Sequence, residues 1–156
     1  MHGVDDPAIA AAVRAYVKLM RAHRSVTARL EPALAACALT LTQLGVLEAV
    51  LHLGPLTHGE LGRKLLTSPG NLSDVVDKLE KRGLVCRVRA TADRRQVRVE
   101  LTEAGRSLIA DVFPRHAADI ARAMAGVDAS ELAVLDSLLR KIGRGEEGLE
   151  TRAAAS

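Results

Sequence analysis

SPGNLSDVVDKLEKRGLVCRVRATADRRQVRVELTEAGR, residues 68 to 106, changes its hydrophobic period once, and that change decides the fold. Up to Gly83 the apolar residues Leu72, Val75, Val76 and Leu79 recur three and four apart, the spacing of one helix face. Ser68 is a suitable cap for that helix, Pro69 suits its first position, and Gly83 ends it after Lys81 and Arg82. Beyond Gly83 the period is two. Leu84, Val85 and Val88, then Val97, Val99 and Leu101, predict two strands joined by ATADRR, an antiparallel hairpin.

Immediately upstream, Thr57 with Glu60 three residues on has the form of a capping box, and a short helix follows through Leu61, Lys64 and Leu65. Two helices joined by about three residues make a helix-turn-helix, and a hairpin directly after it is a wing. Further out, Thr40 with Gln43 opens a helix whose buried stripe is Leu41, Leu44, Leu47, Val50 and Leu51 and which stops at Gly54-Pro55. At the N-terminal side, Asp5, Asp6 and Pro7 start an amphipathic helix (Ile9, Val13, Tyr16 or Val17, Met20) that is expected to end near Glu31-Pro32. At the C-terminal side, Thr102 and Glu103 open a helix containing Pro114, which should kink there or break one turn earlier. Asp128 with Glu131 caps a last helix through Leu132, Leu135, Leu138, Leu139 and Ile142.

The expected fold class is therefore mainly α with a small β-hairpin wing. A winged helix-turn-helix core at about residues 40–101 is flanked by helices at about 6–35 and 102–143, and the tail 144–156 is expected to fray. At 156 residues and 48% hydrophobic, one domain is the expectation. The flanking helices carry more apolar surface than one small unit covers, which predicts a homodimer.

Composition narrows the chemistry. Residues 78 to 98 hold eight basic groups against two acidic ones, a local excess of six in a chain whose net charge is only +3. A basic segment on a mildly acidic body fits a polyanion on one face, and double-stranded DNA is the expected partner. Tyr16 and Phe113 are the only large aromatics, too few to stack single-stranded bases. The histidines 2, 23, 52, 58 and 116 are scattered without ligand spacing, so no metal and no cofactor is expected. No phosphate loop, nucleophile elbow or convincing carboxylate pair points to an enzyme. The acidic N-terminal stretch and the absence of a long apolar run predict a cytoplasmic protein with no membrane partner. Cys37 and Cys86 form neither a disulfide framework nor a C-x-x-C pair.

In a helix-turn-helix the start of the second helix faces the base edges. Here Asn71 can pair with adenine, Ser68 and Ser73 can bond bases or phosphates, and Lys78 is placed for phosphate. The free amides around Pro69 to Asn71 can hold a phosphate, and Gly70 permits close backbone approach. In the loop, Asp93 can hold the guanidinium of Arg95 while an arginine, Arg94 or Arg95, projects into the adjacent minor groove.

LTLTQLGVLEAVLHLGPLTHGELGRKL, SPGNLSDVVDKLEKRGLV and ADRRQVRVELTEAGRSL resemble the MarR family of bacterial transcriptional regulators over roughly residues 35 to 125. The resemblance implies a winged-helix homodimer joined by its terminal helices, a pseudo-palindromic operator, and repression relieved by a small phenolic or anionic effector or by thiol oxidation. It places Ser68 to Asp74 at the start of the recognition helix and Asp93, Arg94 and Arg95 on the wing. By the location of the family's ligand cleft, Tyr16, Met20, His23 and Cys37 are candidate effector contacts. Asp74, where many members carry arginine or a neutral residue, and Gly70, where serine or threonine is more usual, depart from the pattern, so the operator is not inherited from it. The alternatives are a thiol sensor acting through Cys37 and a nonspecific architectural DNA binder.

Overall fold

The helix starts follow the cap residues. Thr40 Oγ1 accepts from the Gln43 amide at 3.2 Å while Gln43 Oε1 accepts from the Thr40 amide at 3.0 Å. Thr57 and Glu60 make the same reciprocal pair, as do Asp128 and Glu131. Asp6 and Ser68 cap the two helices that begin with proline, accepting from the amides of Ala8 and Asn71. Each pairing satisfies amides that the first helical turn leaves without partners.

The computed structural model describes residues 6–89 and 96–143. Along them lie α1 (Pro7–Ala36), α2 (Leu41–Leu53), β1 (Leu56–Thr57), α3 (His58–Leu65), α4 (Pro69–Lys81), β2 (Val85–Arg89), β3 (Val97–Leu101), α5 (Glu103–Ala123) and α6 (Ala129–Gly143). Two compact units divide between Ile120 and Ala121. No single helix among the described residues is long and apolar enough to cross a membrane.

In the first unit, Leu44, Val46, Leu47 and Val50 of α2, Leu61 of α3, and Leu72, Val76 and Leu79 of α4 are buried together with Val85 and Val99 of the sheet and Ile109 and Val112 of α5. The sheet has the order β1-β3-β2, with β3 antiparallel to both neighbours. The hairpin reading of β2 and β3 holds, with Arg87 opposite Val99 and Arg89 opposite Val97. β1 adds a strand that the sequence reading lacks: Leu56 pairs with Val99 and Thr57 with Arg98.

Pro32 and Pro114 lie inside helices. α1 runs past Pro32 to Ala36 rather than ending there, because Leu30 and Leu34 flank the proline four residues apart and both are buried. α5 likewise runs through Pro114 without a break, its face of Ile109, Val112 and His116 buried across the proline. Tertiary packing outweighs the lost hydrogen bond in each case.

α5 begins in direct contact with the start of the wing. The Thr102 amide donates to Leu84 O at 3.1 Å and its hydroxyl to Gly83 O at 2.6 Å, while the Gly105 amide donates to Thr102 Oγ1 at 3.0 Å. Gly105 is buried against this turn, and a Cβ there would stand 1.9 Å from Leu84 O.

Candidate nucleic-acid interface

α4 is amphipathic, with one side buried and the other exposed. Leu72, Val75, Val76 and Leu79 face the core, while Gly70, Asn71, Asp74 and Lys78 are exposed; Ser73 is half-buried. Gly70, Asp74 and Lys78 are spaced four apart and so share a stripe, with Asn71 beside it. Ser68 and Pro69 at the helix start are exposed as well. Thus the structure brings Ser68, Pro69, Gly70, Asn71, Asp74 and Lys78 to one solvent-facing end and side of one helix. A Cβ on Gly70 would meet nothing within 4 Å, so local packing places no demand for glycine there.

Asn71 is held. Its Nδ2 donates to Thr67 Oγ1 at 2.7 Å, which uses one amide hydrogen and leaves the second hydrogen and the carbonyl for a base edge. Thr67 is a residue that sequence reasoning passed over; its position four before Asn71, in the turn, is the signal that could have found it.

The basic segment does not face solvent uniformly. Lys78, Lys81 and Arg89 are exposed. Arg82 Nη1 donates to Ala38 O at 2.5 Å, tying α4 to the turn after α1. Arg98 lies in β3 with its Nε buried and without a partner among the described residues. Arg87 leaves β2 toward α4, where Nη2 donates to Asp77 Oδ1 at 2.5 Å and Nη1 to Glu80 Oε2 at 2.5 Å. The Arg87 amide donates to the other Glu80 oxygen at 2.9 Å, and His58 Nε2 of α3 stands 3.5 Å from Nη2. Burial works against the Arg87 charge, but its hydrogen bonds to Asp77 and Glu80 prevail and push its pKa upward. Burial first, and the Arg87 charge second, push the His58 pKa down. Asp77, Glu80 and Arg87 were not singled out from the sequence, because strand and helix register alone do not show that one guanidinium meets two carboxylates.

Asp93, Arg94 and Arg95 lie outside the described residues. The four effector candidates are spread along α1 and its end. Tyr16, Met20 and His23 are exposed, whereas Cys37 caps the helix and packs against the core. His23 and Cys37 are about 20 Å apart along the axis at 1.5 Å per residue, so the structure does not gather the four into one pocket.

A helix-turn-helix whose second helix shows a polar face beside a basic antiparallel hairpin defines a winged-helix DNA-binding protein. The model of the MarR family matches residues 39–97, from the turn before α2 into β3. The chain is 31% identical over 131 residues to the HTH-type transcriptional regulator MhqR of Bacillus subtilis, a match that covers 84% of this chain and 90% of MhqR. It belongs to the MarR family, and it is a DNA-binding transcriptional regulator. Among solved structures, Bordetella bronchiseptica BpsR, whose DNA binding is regulated by 6-hydroxynicotinic acid, is similar with a TM-score of 0.76 and 27% identity over 83% of this chain and 98% of BpsR. A mutant MarR of E. coli complexed with operator DNA shares the fold, with a TM-score of 0.77 and 24% identity over 84% of this chain and 94% of that one.

Proposed function

We propose that the protein is a homodimeric, ligand-responsive repressor that binds a pseudo-palindromic operator in the cytoplasm. The observation that carries this reading is the exposed start of α4, with Asn71 held by Thr67 and Lys78 further along the same side, next to the basic strands of the hairpin. In the proposed complex Asn71, Ser73 and Asp74 read bases, Ser68, Pro69, Gly70 and Lys78 approach phosphates, and Asp93, Arg94 and Arg95 form the wing's minor-groove contact. Asp74 is compatible with this role where it accepts from a cytosine amino group.

Two recognition helices of a dimer enter successive major grooves about 34–36 Å apart, so an inverted repeat with that spacing is the target. Each unit carries apolar side chains in search of a cover: Ile9, Val13, Tyr16 and Met20 on α1, and Val134, Leu138 and Ile142 on α6. A small phenolic or anionic effector that changes the spacing of the two reading heads lowers operator affinity. BpsR, regulated by 6-hydroxynicotinic acid, supports looking for such a ligand. Tyr16, Met20 and His23 are exposed enough to meet one, and Cys37 is packed against the core, which favours ligand over thiol sensing.

Selection of genomic fragments by the purified protein at about 150 mM salt, followed by sequencing, tests the reading. Enrichment of one inverted repeat with half-sites about ten base pairs apart is expected. Flat retention of all fragments would instead indicate an architectural binder.

A further inference from the structure

We propose that Arg87 is a positioning residue that locks the wing to the recognition helix, and that Asp77 and Glu80 are required for sequence-specific binding although they are negative. The proposal deepens the operator-binding reading and rests on it. Arg87 lies within the most basic part of the chain and looks, by sequence, like another phosphate contact. In the structure both arms of its guanidinium are spent inside the molecule, one on Asp77 and one on Glu80, each at 2.5 Å. Glu80 also accepts from the Arg87 amide at 2.9 Å, so it holds both the backbone and the side chain of that strand residue.

The two carboxylates sit three residues apart on α4, where neighbouring negative charges repel each other and weaken the approach of DNA. Their presence on a DNA-reading helix therefore calls for a compensating role, and geometry supplies one. A planar fork engaged at both ends fixes orientation as well as distance, which a lysine, with one compact ammonium group, does not. Arg87 stands opposite Val99, which is fully buried in β3, so fixing Arg87 fixes the middle of the paired strands relative to α4. Base contacts from α4 and minor-groove contacts from the wing then fall on one DNA site in register.

The sign of one experiment separates the two roles of Arg87. Asp77→Asn/Glu80→Gln, Arg87→Gln, Arg87→Lys and the triple variant are compared with the wild type on the selected operator and on a random duplex. Binding is measured against salt, and folding is checked by thermal melting. Plain electrostatics has removal of two negative charges tighten every DNA complex. The clamp has Asp77→Asn/Glu80→Gln lose operator affinity by about tenfold, the scale of one good bidentate base contact, while the random duplex is held as well as before or better. Arg87→Gln should do the same, Arg87→Lys should fail to rescue, and the triple variant should be no worse than Arg87→Gln.

Operator binding by Asp77→Asn/Glu80→Gln as tight as the wild type overturns the proposal. So does an Arg87→Gln variant that weakens both duplexes equally and lowers the salt slope by about one, the mark of a phosphate contact. Hydrogen exchange of the same variants without DNA keeps the two readings apart. Faster exchange at the Arg87 amide and in the hairpin, with α2 unchanged, supports the clamp. Unchanged exchange overturns it even if the wild type proves to have no sequence preference.

Discussion

Leu66 is the residue whose conformation least suits its type. It ends α3 with φ 49° and ψ 40°, in the left-handed region, and its side chain is 92% exposed. Leucine there carries strain of about 1–2 kcal/mol and returns no core packing. Leu66→Gly should raise stability by about 0.5–1 kcal/mol, since the relief exceeds the added entropy of the unfolded glycine; a melting temperature that does not rise would show the turn to be unstrained. His58 gives the chain a pH dependence. Burial and the Arg87 charge hold its folded pKa below the ordinary 6.5, with Asp77 and Glu80 opposing them. Well above 6.5 the imidazole is neutral whether folded or unfolded and adds no slope. As pH falls below 6.5 the unfolded chain takes up the proton first, so stability drops toward the lower folded value. Glu60, lowered chiefly by the Thr57 amide it accepts from, loses its own contribution only at more acidic pH. Between about pH 7.5 and pH 5.5, where histidine titrates, the wild type should lose more melting temperature than His58→Gln. Equal losses would remove His58 as the cause.

Elements were legible where one residue's chemistry was enough to start or stop them. The Thr40, Thr57, Ser68 and Asp128 caps, and Gly83 with φ 68° after α4, stand as the sequence reading placed them. β1 was not legible: two residues are too few to show a period, and its partner in β3 is distant in sequence. The expected end of α1 at Pro32, and a break of α5 before Pro114, do not occur, because a proline speaks locally and the buried residues on either side of it do not. Gly105 belongs to the same class, since only its tertiary neighbour explains it. Gly105→Ala should cost about 2 kcal/mol or more, because backbone rather than a flexible side chain must give way; a melting curve like that of the wild type would refute the contact. On α4, Asn71→Ala should relax preference at one or two base pairs, whereas Lys78→Ala should weaken all sequences alike and reduce the salt slope by about one. Binding to a panel of single-base operator variants at two salt concentrations distinguishes them.

For the molecule as a whole, the sequence disclosed the fold class and the helix-turn-helix because both rest on periodicity and caps. It did not disclose which basic residues bond to other parts of the molecule. Arg82 and Arg87 add to the formal charge of the segment, yet the first binds the Ala38 carbonyl and the second two carboxylates. Such pairings depend on elements brought together only by folding. Assembly is expected to follow from the exposed apolar residues of α1 and α6. Sedimentation at micromolar concentration should give twice the chain mass, and Leu138→Glu combined with Ile142→Glu should shift it toward one chain; a wild-type monomer would contradict the dimer. The seam at Gly105 has a mechanical consequence. Where two elements meet through side chains, rotamers yield and a small displacement is damped. Where a helix rides bare on a carbonyl, as α5 does on Leu84, there is almost no compliance to absorb it. A shift of the start of α5 should therefore reach the first residues of the wing with little damping, as along a lever and not through a spring.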